Sequence, residues 1–132
     1  MAKKVTKASI LRRGSATHRI GIKRAYDEPS AADGLRILID RLWPRGMTKA
    51  ALKHDAWPRA LTPSNGLRKW YGHDPERFAE FRRRYREELT AHQDALDALR
   101  ALVKGRKATL VTATRELDLS HGEVLREILE KP

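Results

Sequence analysis

The chain has 132 residues, 40% of them hydrophobic, which suits one domain with one ordinary core. It contains no cysteine, so disulfides, thiolate nucleophiles and cysteine-ligated metal centres are excluded. The net charge of +11 points toward an anionic partner, but its distribution matters more than its total.

Residues 1–24 hold eight of the 28 basic side chains and no acidic one, leaving 20 basic against 17 acidic in the remainder. Residues 1–18 lack helical or strand periodicity and end in Gly14-Ser15-Ala16-Thr17, which reads as a flexible basic arm. Such an arm could grip a phosphate backbone with salt-sensitive, non-specific affinity. Nucleic acid is therefore a candidate partner through residues 1–24, although a solvated tail is the simpler account. The remaining residues, 19–132, are expected to form a single α/β domain. The longest apolar run of interest, Ile37-Leu38-Ile39, is far short of the roughly 20 residues a spanning helix needs. The amino terminus lacks a signal-peptide core, so a cytoplasmic protein with no membrane partner is expected.

In chain order, Ile20–Arg24 alternates like a short strand and Asp27-Glu28-Pro29-Ser30 ends it. Asp33-Gly34 signals a turn into a second strand, Leu35–Asp40, whose near-continuous apolar run predicts a central strand buried on both faces. Trp43-Pro44-Arg45-Gly46 closes it in a rigid loop, and Thr48 can cap a short helix to about Lys53. Residues 55–63 read as irregular, and Ser64 as the cap of a helix over Asn65–Tyr71. The clearest signal is Asp74 as N-cap, Pro75 at the first helical position and Glu76 in the first turn. Behind it Phe78, Phe81, Tyr85, Leu89, Leu96, Leu99 and Val103 recur at helical spacing up to Gly105. That stretch is one long helix, or two with a break near Thr90 to His92. Lys107–Ala113 is a third strand, and Ser120 caps a last helix with Glu123 at the capping-box position.

Strands separated by helices imply a mainly parallel sheet flanked by helices, and in such folds ligands bind beyond the carboxyl ends of the strands. After the first strand come Arg24 and Tyr26; after the second, Asp40, Arg41, Trp43 and Arg45; after the third, Thr114 and Arg115. The last helix then opens with Ser120 and His121, a start suited to anions. Parallel strands would turn these groups into one crevice, where the guanidinium forks suit a phosphate or carboxylate ligand.

Each group also has a plainer role. Asp40 and Arg41 could form a structural ion pair, Trp43 could be a packing lid, and Ser120 and His121 could only cap. His73-Asp74 resembles a general base with its orienting carboxylate, but Asp74 already serves as an N-cap. Arg82-Arg83-Arg84 with Glu87 and Glu88 reads as a solvated helix face. The five histidines show no metal-ligand spacing, and no Walker loop, GxGxxG or GxSxG is present. The sequence names no metal, no cofactor and no oligomeric state.

The blocks "IKRAYD", "DGLRILIDRLWPRG", "LRKWYGHDPERFAEFRRRYREEL" and "TLVTATRE" followed by "SHGEVL" resemble, in that order, those of the YeaO-like bacterial family, a domain of unknown function (DUF488). The match runs from about Ile20 to Leu129, with Asp40–Gly46 its most specific block. The resemblance implies a compact α/β domain and brings no established activity. Relatives often read Asn-His-Ala where this chain has Ser120-His121-Gly122, and more distant ones place a cysteine before the histidine; a thiol mechanism cannot operate here. The expectation from sequence is therefore a small anionic ligand at the strand ends. Arg24, Tyr26, Arg41, Trp43, Arg45, Thr114, Arg115 and Ser120 would contact it, and Asp40 and His121 would handle any proton. The alternative is a nucleic-acid accessory protein using the basic arm.

Overall fold

In the computed structural model, which describes residues 19–131, three apolar runs pair into one parallel sheet. They are β1 (Ile20–Arg24), β2 (Leu35–Leu38) and β3 (Ala108–Thr112), in the order β1-β3-β2. The register aligns Ile22 with Leu110 on one side and Ile37 with Leu110 on the other, so all three carboxyl ends lie along one edge. The proposed basic arm, residues 1–18, falls outside the described residues. Among the described residues no helix is long and apolar enough to cross a membrane.

The central strand is β3, all five of whose residues are buried, and not β2 as its apolar run suggested. That run reports burial of two faces, which β2 has, but says nothing about edges. The outer edge of β2 is covered by chain that is not a strand: Ala56 bridges Ile37, and Leu38 N–H donates to the Ala56 carbonyl at 2.9 Å. β2 also ends two residues before the expected Asp40, although Ile39 N–H still donates to Val111 at 3.0 Å.

Strand alternation divides the interior. Ile37, Ile39 and Leu110 face the larger core, which α3 (Phe78–Thr90), α4 (Gln93–Val103) and α5 (His121–Glu130) cover. Leu38 and Val111 face a smaller cluster with Ala25, Leu52, Trp43, Met47 and Trp57, beside α1 (Lys49–Leu52). A buried ion pair stands next to it, with Arg36 Nη1 2.6 Å from Asp33 Oδ2 and Lys23 3.2 Å from Oδ1.

The caps read from sequence form as expected. Thr48, Ser64, Asp74 and Ser120 each accept a backbone N–H at a helix start. Ser64 opens α2 (Asn65–Tyr71), while Asp74 and Pro75 open a single 3-10 turn that runs into α3. The long apolar stretch divides into two helices at Ala91 and His92, where the Thr90 hydroxyl donates to the Glu87 carbonyl at 2.6 Å. The capping box at Ser120 gives way to an ion pair, because the Glu123 carboxylate turns to Arg126 at 2.6 Å.

Gly34 fixes how close β2 comes to β3. Its φ is 65° and ψ −136°, and a Cβ there would lie 2.2 Å from the Lys107 carbonyl oxygen. Gly46, with φ 77°, has nothing within 4 Å of the same position. Gly46→Ala should cost about 1 kcal/mol for the left-handed backbone alone. Gly34→Ala should cost about 3 kcal/mol or more, because backbone must move as well. Urea unfolding of the two variants checks this, and equal losses would contradict it.

Candidate functional site

Because β2 and β3 run side by side in one direction, Asp40 emerges next to Thr112 and Ala113. Its Oδ1 accepts from the Thr112 hydroxyl at 2.6 Å, and its Oδ2 from Ala113 N–H at 2.7 Å. His121, the first residue of α5, places Nε2 3.4 Å from Asp40 Oδ1 and 2.9 Å from the Ile39 carbonyl. A carbonyl only accepts, so Nε2 carries the proton. Burial works against ionising Asp40, but the hydrogen bonds from His121, Thr112 and Ala113 outweigh it and hold the carboxyl below its ordinary value. Asp40 makes no ion pair with Arg41, the plainer role considered for it. It binds β2, β3 and α5 together.

The loop that follows is pinned along its length. The Trp57 indole donates to the Asp40 carbonyl at 2.7 Å, and the Tyr26 hydroxyl to the Arg45 carbonyl at 3.0 Å. The Trp43 indole N–H donates to the Met47 carbonyl, and its ring meets Trp57 and His54 edge-on at 5.5 and 5.1 Å. Trp43 is thus a packed strut that also shows a face to solvent.

A cleft of about 700 Å³ opens over these strand ends. Tyr26, Asp40, Arg41, Trp43, Arg45, Thr114, Arg115, Ser120 and His121 all line it. Arg24 is the one expected residue the fold does not bring there. Its guanidinium donates to the Ala113 carbonyl at 3.4 Å and lies 5.3 Å from the Tyr26 ring centre, which commits it to the wall. The Ser120 hydroxyl is buried, donating to the Leu117 carbonyl at 2.7 Å while accepting Gly122 N–H at 3.1 Å.

Sequence reasoning missed the contribution of α2. Arg68, Lys69 and Tyr71 line the cleft, as does His73 just after the helix. They arrive through contacts remote in sequence: the Tyr71 hydroxyl donates to the Leu119 carbonyl at 2.6 Å, and its ring stacks on Phe81 at 4.3 Å. The one available signal was that Arg68 and Lys69 share the block that contains His73. The base-and-carboxylate arrangement suggested for His73 does not form, since the Asp74 carboxylate accepts Glu76 N–H at 3.0 Å and faces Arg77 at 3.6 Å. Among the described residues, no group of three or more His, Asp or Glu is placed to hold a metal ion.

A family model described as the inactive DUF488-N3 subclade matches residues 19–132. The chain belongs to that family, within the YeaO-like DUF488 proteins. An uncharacterised protein of Mycobacterium tuberculosis is 44% identical over 112 residues, covering 84% of this chain and 93% of its own. The uncharacterised protein YeaO of Escherichia coli is 38% identical over 110 residues, 83% and 96% of the two chains. No solved structure matches. At the centre of the cleft in this DUF488 domain stands Asp40.

Asp40→Asn should destabilise the protein by about 2 kcal/mol, because the amide turns its own N–H toward at least one of the three donors that now face carboxylate oxygen. The sign with pH follows from the lowered carboxyl. Its contribution is full above the ordinary carboxylate range and is lost as pH falls through the folded value. Melting temperatures measured from pH 7 down to pH 3 should therefore draw closer together in wild type and variant toward the acid end. Parallel curves would show that Asp40 does not carry this interaction.

Proposed function

We propose that this chain is a cytoplasmic protein that binds a small anionic ligand, phosphorylated or carboxylate, in the cleft at the strand ends. One observation carries the proposal. Arg41, Arg45, Arg68, Lys69 and Arg115 surround a single cleft, and none forms an ion pair among the described residues. Several arginines elsewhere are matched, Arg83 and Arg84 with Glu80, Arg82 with Glu127, and Arg126 with Glu123; Arg86 and Arg106 are not among the described residues, but neither lines this cleft. The cleft wall contains two carboxylates, Asp40 and Glu116, and Asp40 is already held by three donors. An excess of unneutralised cations from three separate elements favours a ligand that brings the negative charge.

Binding is better supported than turnover. The Ser120 hydroxyl, which could stand in for a thiol beside His121, is engaged at both its proton and its oxygen. Asp40 is ionised at neutral pH and has no proton to give. The family's description as inactive agrees. On this account Asp40 and His121 position the cleft walls and the start of α5 instead of moving protons.

A thermal-shift screen of the purified full chain tests the proposal, using inorganic phosphate, sugar phosphates, nucleotides, small carboxylates and divalent metals. A ligand at about 100 times its Kd adds about 2.7 kcal/mol, which raises Tm by roughly 10 °C in a domain this size. Arg41→Ala and Arg68→Ala should each abolish most of that rise. A flat screen, together with nucleic-acid binding that disappears when residues 1–18 are deleted, would replace the cleft with the basic arm.

A further inference from the structure

Resting on the anion-binding account of the cleft, we infer that its ligand also carries a planar aromatic body, as a nucleoside monophosphate does. The volume argues for a body of some size. About 700 Å³ falls within the roughly 300–1,000 Å³ occupied by organic ligands, far more than a lone phosphate or a short carboxylate fills.

The wall argues for its chemistry. Leu42 lines the cleft yet is 68% exposed, and Tyr26 beside it is 45% exposed. A large apolar side chain held in water is ordinary on a loop that can fold it away. This loop cannot, because the hydrogen bonds from Trp57 to Asp40, Tyr26 to Arg45 and Trp43 to Met47 fix its backbone on both sides of Leu42. The leucine is presented in advance, so a ligand that covers it gains apolar burial without ordering the loop. His73, which follows α2 with a left-handed φ of 58°, adds a second planar face to the same cleft. Two cations bracket an apolar stretch along the loop itself: Arg41, then Leu42, Trp43 and Pro44, then Arg45. A ligand with an anionic group next to a flat ring matches that arrangement, and a purely ionic one leaves Leu42 and Tyr26 uncovered.

The ring and phosphate could belong to a free mononucleotide or to the end of a single strand; the recognising chemistry is the same. Calorimetric titrations of the full chain with AMP, ribose 5-phosphate, inorganic phosphate and a short 5′-phosphorylated oligonucleotide separate the cases. AMP or the oligonucleotide should bind about tenfold tighter than ribose 5-phosphate, and Leu42→Ser should remove most of that difference while leaving ribose 5-phosphate affinity unchanged. Because Leu42 is exposed, the variant is expected to fold. Preference for AMP identifies the free nucleotide as the source, and preference for the oligonucleotide identifies a strand end. Equal affinities for AMP and ribose 5-phosphate, both reduced by Arg41→Ala, would overturn the aromatic inference and leave the anion site standing. Absence of binding by all four probes would overturn the inference, and the anion account would then fall or stand on the carboxylates of the wider screen.

Discussion

One carboxylate joins the three elements that make the cleft. Asp40 ends the chain's passage along β2, accepts a hydroxyl and an N–H from the end of β3, and lies beside the imidazole that begins α5. Each contact fixes a different degree of freedom. The Ala113 N–H sets the register of the two strand ends, the Thr112 hydroxyl closes the turn into residues 113–115, and His121 brings in the helix. Charge-assisted hydrogen bonds of this kind are stronger than neutral ones, and one largely withdrawn from water is screened less than a surface pair. Without it, neither Arg41 and Arg45 after β2 nor Arg115 after β3 would have a fixed wall to stand on.

That rigidity gives the charge pattern its meaning. On α3, Arg83 and Arg84 have carboxylates nearby in Glu80 and Glu87. Around the cleft the same residue type is held without one, on loops whose backbone is pinned by indole and phenol hydrogen bonds. Repulsion among such cations opposes folding slightly, and a bound anion would relieve it, so on the proposed function ligand binding and stability would be coupled. The Ser120 hydroxyl points the other way, into its own turn, which fits a pocket organised for holding.

Much of this was legible in the sequence because local chemistry wrote it. Four capping residues predicted four helix starts, the strand-end residues followed from the parallel α/β rule, and nine of ten expected positions gather at one cleft. What was not legible depends on partners remote in sequence. The apolar run of β2 records burial of its faces, and only the fold reveals that Asp55 and Ala56 cover its edge. Arg24 has the right position but is captured by the Ala113 carbonyl, 89 residues away. Arg68 and Lys69 reach the cleft because Tyr71 reaches Leu119 and Phe81, contacts that no periodicity within α2 encodes. The capping box at Ser120 failed for a local reason, since Arg126 competes for Glu123 and wins.

The central claim concerns place: an anion binds at the strand ends, among cations that no carboxylate neutralises. Chemical-shift mapping on the isotope-labelled full chain, titrated with phosphate or AMP, addresses it most directly. The account predicts saturable shifts concentrated at the amides of Arg41, Ala113 to Arg115, and His121 and Gly122, with a smaller response in α2. Shifts confined to the outer face of α3 or to residues 1–18, with the cleft amides still, would contradict it.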